Sequence, residues 1–155
     1  MNFRTAISAS GIALVLIYVA GSSLFMRTDG NWYNNLNKPS WQPPGFVFGL
    51  IWPYNFIVLG IAATVIGQRA SKTLSLTYIL FFAASVTAAL MWAYQFYTPH
   101  NFTAAAIALT ATAVLTIPMT AILISISIPM ALAVAPYQLW VAIAATLSWT
   151  YRSLN

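Results

Sequence analysis

The sequence predicts an all-α integral membrane protein, a bundle of five transmembrane helices forming one domain over residues 1–155. Three observations lead there. Of the 155 residues 61% are hydrophobic, and the mean hydropathy is +0.80. Only six Lys or Arg and one Asp or Glu are present, 5% of the chain, where a soluble domain draws roughly a quarter of its residues from charged types to cover its surface. Finally, the apolar residues fall into long uncharged runs of membrane-crossing length, separated by short polar or Pro-rich breaks.

The first run holds 22 uncharged residues between Arg4 and Arg27, roughly 33 Å as a helix and enough to cross a hydrocarbon core. It gives a first span at about 5–26. A cleaved signal peptide is the competing reading, because Arg4 precedes the run and Ala20-Gly21-Ser22 offers small residues, but the run exceeds the 7–15 residue core typical of such signals. Residues 27–45 carry three of the seven charges, four Asn and three Pro. Pro39, Pro43 and Pro44 forbid continuous helix there, and Trp32, Tyr33 and Trp41 make a structured loop capping the bundle, not a slack linker. Spans at about 46–68 and 74–97 follow, separated by Arg69, Ser71 and Lys72. Residues 102–151 are 50 in a row without a charge, roughly 75 Å as one helix, so the chain must fold back. A hairpin at 125–129 yields spans at about 102–124 and 130–151. Pro53, Pro118 and Pro136 fall inside spans, where kinks are tolerated if freed carbonyls find partners.

The inventory excludes several chemistries. There is no Cys, one His (His100) and one carboxylate side chain (Asp29), so a zinc site, a disulfide framework, a paired-carboxylate hydrolase and a thiol nucleophile lack their groups. No metal and no cofactor is expected. The net charge of +5 comes from scattered residues, which suits anchoring at membrane ends and not a nucleic-acid partner. Arg4, Arg69 and Lys72 fall on one side and Arg27, Lys38 and Arg152 on the other, an even split under the positive-inside count.

Five spans place the 27–45 loop, the start of the second span and the ends of the third and fifth on one side of the membrane. Their aromatics can therefore meet. Phe48, Trp52 and Phe56 recur at i, i+4, i+8, and Trp92 with Phe96 at i, i+4, with Ala89 and Ser85 continuing that stripe deeper. On the fifth span Trp140 is followed on its face by the small Ala144 and Ser148. A large ring deep in the bilayer followed by small side chains toward the surface leaves room for something flat. Each feature has a plainer reading: Trp32, Tyr33, Trp149 and Tyr151 fit an interfacial aromatic belt, the i, i+4 pairs fit helix packing, and His100 fits a solvated loop. Ala63 with Gly67, and Ala104, Ala108 and Thr112, have the small-xxx-small spacing of close helix contacts, within the chain or in a dimer.

The segment WYNNLNKPSWQPPGFVFGLIW, through Trp32, Tyr33, Leu36, Lys38, Pro39, Trp41, Pro43, Pro44, Phe48 and Trp52, resembles the signature of the TspO family, the tryptophan-rich sensory or translocator proteins also called peripheral benzodiazepine receptors. Pro136, Tyr137 and Trp140 resemble that family's Pro-Tyr-x-x-Trp segment. The chain departs from the family at Ala89, where Asn is usual, at Phe56, commonly Tyr, and in lacking an acidic residue in the fourth span. The resemblance implies a multi-pass protein of the bacterial cell membrane, a homodimer that binds porphyrins, heme precursors or related flat hydrophobic ligands beneath the loop. Carried onto matching positions, the pocket would use Tyr33, Trp41, Trp52, Phe56, Trp92, Phe96, Trp140, Ala144 and Ser148. The family is also associated with sterols, but the proposed sterol motif needs a residue between its Tyr and its basic residue, and Tyr151 and Arg152 are adjacent.

Three functions follow from this reading. The first is a receptor or transporter that holds a tetrapyrrole in an aromatic cleft, needing only stacked rings and an apolar slot. The second is an enzyme degrading protoporphyrin with light and oxygen, in which Trp52 and Trp140 would be the catalytic relays. The third is a structural membrane subunit without a small ligand.

Overall fold

The computed structural model describes residues 2–26 and 30–155. Arg27 and Asp29, which entered the charge count above, lie outside the described residues. Five long helices and one short one make up the described chain, which has no strand among its described residues. The helix starts follow side-chain chemistry. Helix α1 (Phe3–Phe25) begins where Asn2 accepts a hydrogen bond from the Thr5 N–H at 2.9 Å. A short α2 (Gly30–Asn34) lies inside the segment read as loop, and α3 (Gly45–Arg69) begins directly after Pro43-Pro44. The three prolines therefore exclude helix only from the second half of that segment. Ser71 caps α4 (Lys72–Tyr97), accepting from Leu74 N–H, and Asn101 caps α5 (Phe102–Ile126), accepting from Ala104 N–H.

The last fold-back is tighter than the 125–129 hairpin expected. Ser127 alone separates α5 from α6 (Ile128–Leu154): its backbone N–H closes α5 on Leu123 O, and its side chain accepts from Met130 N–H. Pro129 follows in the first turn of α6, where its missing N–H costs nothing. All five long helices have the length and apolar composition to cross a membrane.

Neighbouring contacts close a ring in the order α3, α1, α4, α5, α6 and back to α3. Its core is filled by Leu59, Ile66, Tyr78, Phe82, Val86, Met119, Leu123 and Tyr137, all essentially inaccessible. The small residues are used inside the chain. A Cβ on Gly11 of α1 would overlap Ala63 of α3, and one on Gly67 would stand 2.9 Å from Arg4 O, so these helices approach nearly backbone to backbone. Ala108 and Thr112 likewise face inward on α5.

Two of the three prolines within spans, Pro136 and Pro118, have a polar link between helices close by. Tyr54 OH donates to Ala133 O at 2.7 Å, three residues before Pro136, and Gln138 Nε2 donates to Ala113 O at 3.0 Å, five before Pro118. Side chains from neighbouring helices thus bind carbonyls in the disturbed turns, where lipid offers no alternative partner.

Candidate functional site

The ring of helices holds a partly open cavity of about 510 Å³ at the end where α3 starts and α1, α4 and α6 finish. Its walls are built from helical stripes. Gly45, Phe48 and Trp52 come from α3, Trp92, Phe96 and Tyr97 from α4, and Ala144, Leu147, Ser148 and Tyr151 from α6. The α3 set falls at i, i+3, i+7 and the α6 set at i, i+3, i+4, i+7, one helix face each; on α4 Trp92 and Phe96 are four apart, and Tyr97 joins them from the helix end. Met26 and the loop residues Tyr33, Lys38 and Gln42 complete the mouth.

The loop over this cavity is fastened at three places. Trp32 stacks on His100 with centroids 3.8 Å apart and an interplanar angle of 14°, and meets Phe96 edge-on at 5.8 Å. His100, read as a solvated loop residue, is exposed yet serves as this platform and holds a positive φ of 57°. At the mouth, Gln42 Nε2 donates to Tyr33 OH at 3.3 Å, Tyr151 OH donates to Gln42 Oε1, and the Tyr33 and Tyr151 hydroxyls lie 3.3 Å apart. The third is a clasp between Asn37 and the end of α6: Asn37 N–H donates to Asn155 Oδ1 (2.9 Å), Asn37 Nδ2 to Leu154 O (3.0 Å) and Asn155 Nδ2 back to Asn37 O (3.1 Å).

Of the nine residues proposed for a pocket, Tyr33, Trp52, Trp92, Phe96, Ala144 and Ser148 border this one cavity. The other three do not. Trp41 is 47% exposed on the loop. Phe56 lies below Trp52, stacked on it at 5.6 Å and edge-on to Tyr18 at 5.3 Å, and so belongs to the core. Trp140 is buried and meets the ring of Phe48 edge-on at 5.0 Å. Ala89 and Ser85 do not extend the cavity downward either: both are buried in the bundle, with Ser85 Oγ on Phe82 O at 2.9 Å.

Several lining residues escaped the sequence reading. Phe48 shared the Trp52 stripe and was legible from it. Tyr151, assigned to the interfacial belt, is 3% exposed and forms part of the mouth; its spacing of seven from Ala144 puts it on that face. Gln42 and Lys38 sit in irregular chain, where no periodicity reveals a side chain's direction. Chemically the cavity is ring-lined and apolar below, with polar groups gathered at the mouth. Trp92 Nε1 and Ser148 Oγ, both on lining residues, are buried without a hydrogen-bond partner among the described residues, and such atoms are costly unless something bound can meet them. No group of His, Cys, Asp or Glu among the described residues could hold a metal ion.

Residues 10–154 match the family described as TspO/MBR. The chain belongs to the TspO/MBR family. It is 31% identical over 140 residues to the tryptophan-rich protein TspO of Bacillus cereus, covering 90% of each chain. It is 29% identical over 157 residues to the tryptophan-rich protein TspO of Chlorobaculum tepidum, covering 100% of this chain and 99% of that one, and 26% identical over 137 residues to protein CrtK of Rhodobacter capsulatus (88% and 86%). The five apolar helices are thus those of a multi-pass TspO/MBR membrane protein, and the cavity faces one end of its bundle.

Proposed function

We propose that this protein is a membrane receptor or transporter for porphyrins or related flat hydrophobic molecules, which it holds in the cavity beneath the loop. The observation that carries the reading is a partly open cleft of about 510 Å³ with Trp52, Trp92 and Phe96 on two sides and the small Ala144 and Ser148 on a third. That size lies within the range of about 300–1,000 Å³ typical of small-molecule sites. Rings bind a flat π face well, and the small residues leave a slot for it. A loop fastened at three points supports closure over a ligand.

Titration of the detergent-purified protein with protoporphyrin tests this. Saturable quenching of Trp fluorescence is expected, with Trp52→Phe weakening it; a linear, unsaturable signal equal to that of protein-free micelles overturns the proposal. The light-driven alternative draws support from the indoles of Trp52 and Trp92 on the cavity wall, since both can be oxidised by an excited bound ligand. Under it, illumination bleaches protoporphyrin only with oxygen and protein together, and Trp52→Phe slows the loss. The homodimer is carried as part of the same proposal, supported by the exposed apolar row Ile107, Val114, Ile117 and Ile124 on α5. Cross-linking in native membranes tests it.

A further inference from the structure

The polarity of the cavity is graded along the bundle axis. Below are Phe48, Trp52 and Ala144; at the mouth are Lys38 and the linked side chains Tyr33, Gln42 and Tyr151. Lys38 is the only charged residue lining the cavity among the described residues. Its Nζ stands over the Tyr33 ring, 4.6 Å from the centroid, and forms no ion pair with a carboxylate among the described residues. The remaining described cations are engaged or distant. Arg152, on the same side, donates from Nε to Thr103 Oγ1 at 3.0 Å and lies over the Trp149 ring at 5.4 Å. Arg69 and Lys72 belong to the opposite end, where α3 finishes and α4 starts.

We propose that Lys38 is a specificity-determining residue, selecting ligands that carry a carboxylate at one edge of a flat apolar body and orienting them acid end outward. This rests on the reading that the cavity binds flat hydrophobic molecules. Such a ligand satisfies both ends of the gradient at once. Its rings replace hydrocarbon contacts against Trp52 and Phe48, and its acid group stays at the wet rim, so it enters without being stripped of water. Among the described residues the ammonium has no ion-pair partner to release first, and the Tyr33 ring holds it over the opening by a cation–π contact. A neutral analogue of the same shape loses the charge-assisted contact and keeps only the stacking.

Protoporphyrin IX and its dimethyl ester are the probes, titrated by Trp quenching with protein-free micelles as the blank. Because Lys38 is solvent-exposed and its field is screened, the free acid is expected to bind about tenfold tighter than the ester. Lys38→Gln should bring that ratio near one, Lys38→Arg should keep it, and raising salt should shrink it in the unchanged protein. Circular dichroism of both variants separates loss of selectivity from loss of fold. Equal, saturable binding of acid and ester overturns the role of Lys38 and leaves the cavity reading intact. Unsaturable signals from both probes overturn the cavity reading, and this inference with it. Stoichiometric displacement of the acid by phosphatidylglycerol overturns the carboxylate assignment, because the mouth would then be reading a lipid phosphate.

Discussion

Gly11→Ala probes the seam between α1 and α3. A methyl on Gly11 overlaps the Ala63 Cβ outright, with Ala63 Cα at 3.5 Å and Ile79 Cδ1 at 3.6 Å just beyond it. A Cβ has no torsion with which to move aside, so relief requires the helices to separate. Gly67, farther along the same seam, resists that separation by packing against Arg4 O and Ser8. Overpacking costs about 1–3 kcal/mol, and the better helix propensity of Ala returns roughly 0.5–1 kcal/mol. The outright overlap with the Ala63 Cβ places the cost in the upper part of that range, about 2–3 kcal/mol, so the net expectation is a loss of about 1–2 kcal/mol. Ala63→Gly alone should lose a similar amount, about 1–2 kcal/mol, through the missing buried methyl and the glycine penalty. Combining the two moves the methyl from α3 to α1, cancels the propensity changes and leaves only the two ordinary contacts. The double variant should therefore lie within about 0.5 kcal/mol of the starting protein, where additivity would put it about 2–4 kcal/mol lower. Titration with dodecyl sulfate in mixed micelles, followed by circular dichroism, measures all four corners of the cycle. A Gly11→Ala variant as stable as the parent, or a double variant as damaged as the sum, would refute the close seam.

Asn55 is fully buried with neither amide atom partnered, so Asn55→Leu should stabilise the bundle by about 1–3 kcal/mol, and a lowered thermal midpoint would show that the amide is satisfied after all. Tyr54→Phe removes the bond to Ala133 O in the turn before Pro136 and should cost about 1 kcal/mol in the same unfolding assay, while Tyr54→Ala costs more through lost packing. Trp32→Ala withdraws the ring that stacks on His100 and meets Phe96; limited proteolysis should then cut within residues 30–44 faster than in the parent, with the helices still protected.

The helices were legible because hydrocarbon leaves the backbone no partner but itself, so a long uncharged run has one viable conformation. Their ends were legible to within a few residues, and the exceptions have local causes: the α5–α6 turn is shortened by Ser127 capping both helices at once. The cavity walls were half legible. Helical spacing says which residues of one helix share a face, and so grouped Trp92 with Phe96 and Ala144 with Ser148. It does not say which neighbour that face meets. Trp140 illustrates the gap: it is four residues from Ala144 on the same helix face, yet the open space is lined by Phe48 of α3, whose ring Trp140 meets edge-on, and not by Trp140 itself. Phe56 differs for the converse reason, since it lies one turn farther along α3 than the lining residue Trp52 and packs on Trp52 and Tyr18 without bordering the cavity. Both errors are of azimuth and depth relative to other helices, quantities set by how closely the helices approach. That approach is in turn governed by residues such as Gly11 and Ala63, whose importance appears only once they are known to face each other. A change at that seam should therefore shift the ring positions around the cavity as well as the stability, and ligand quenching in Gly11→Ala, measured below its unfolding midpoint, should weaken even though no lining residue has changed.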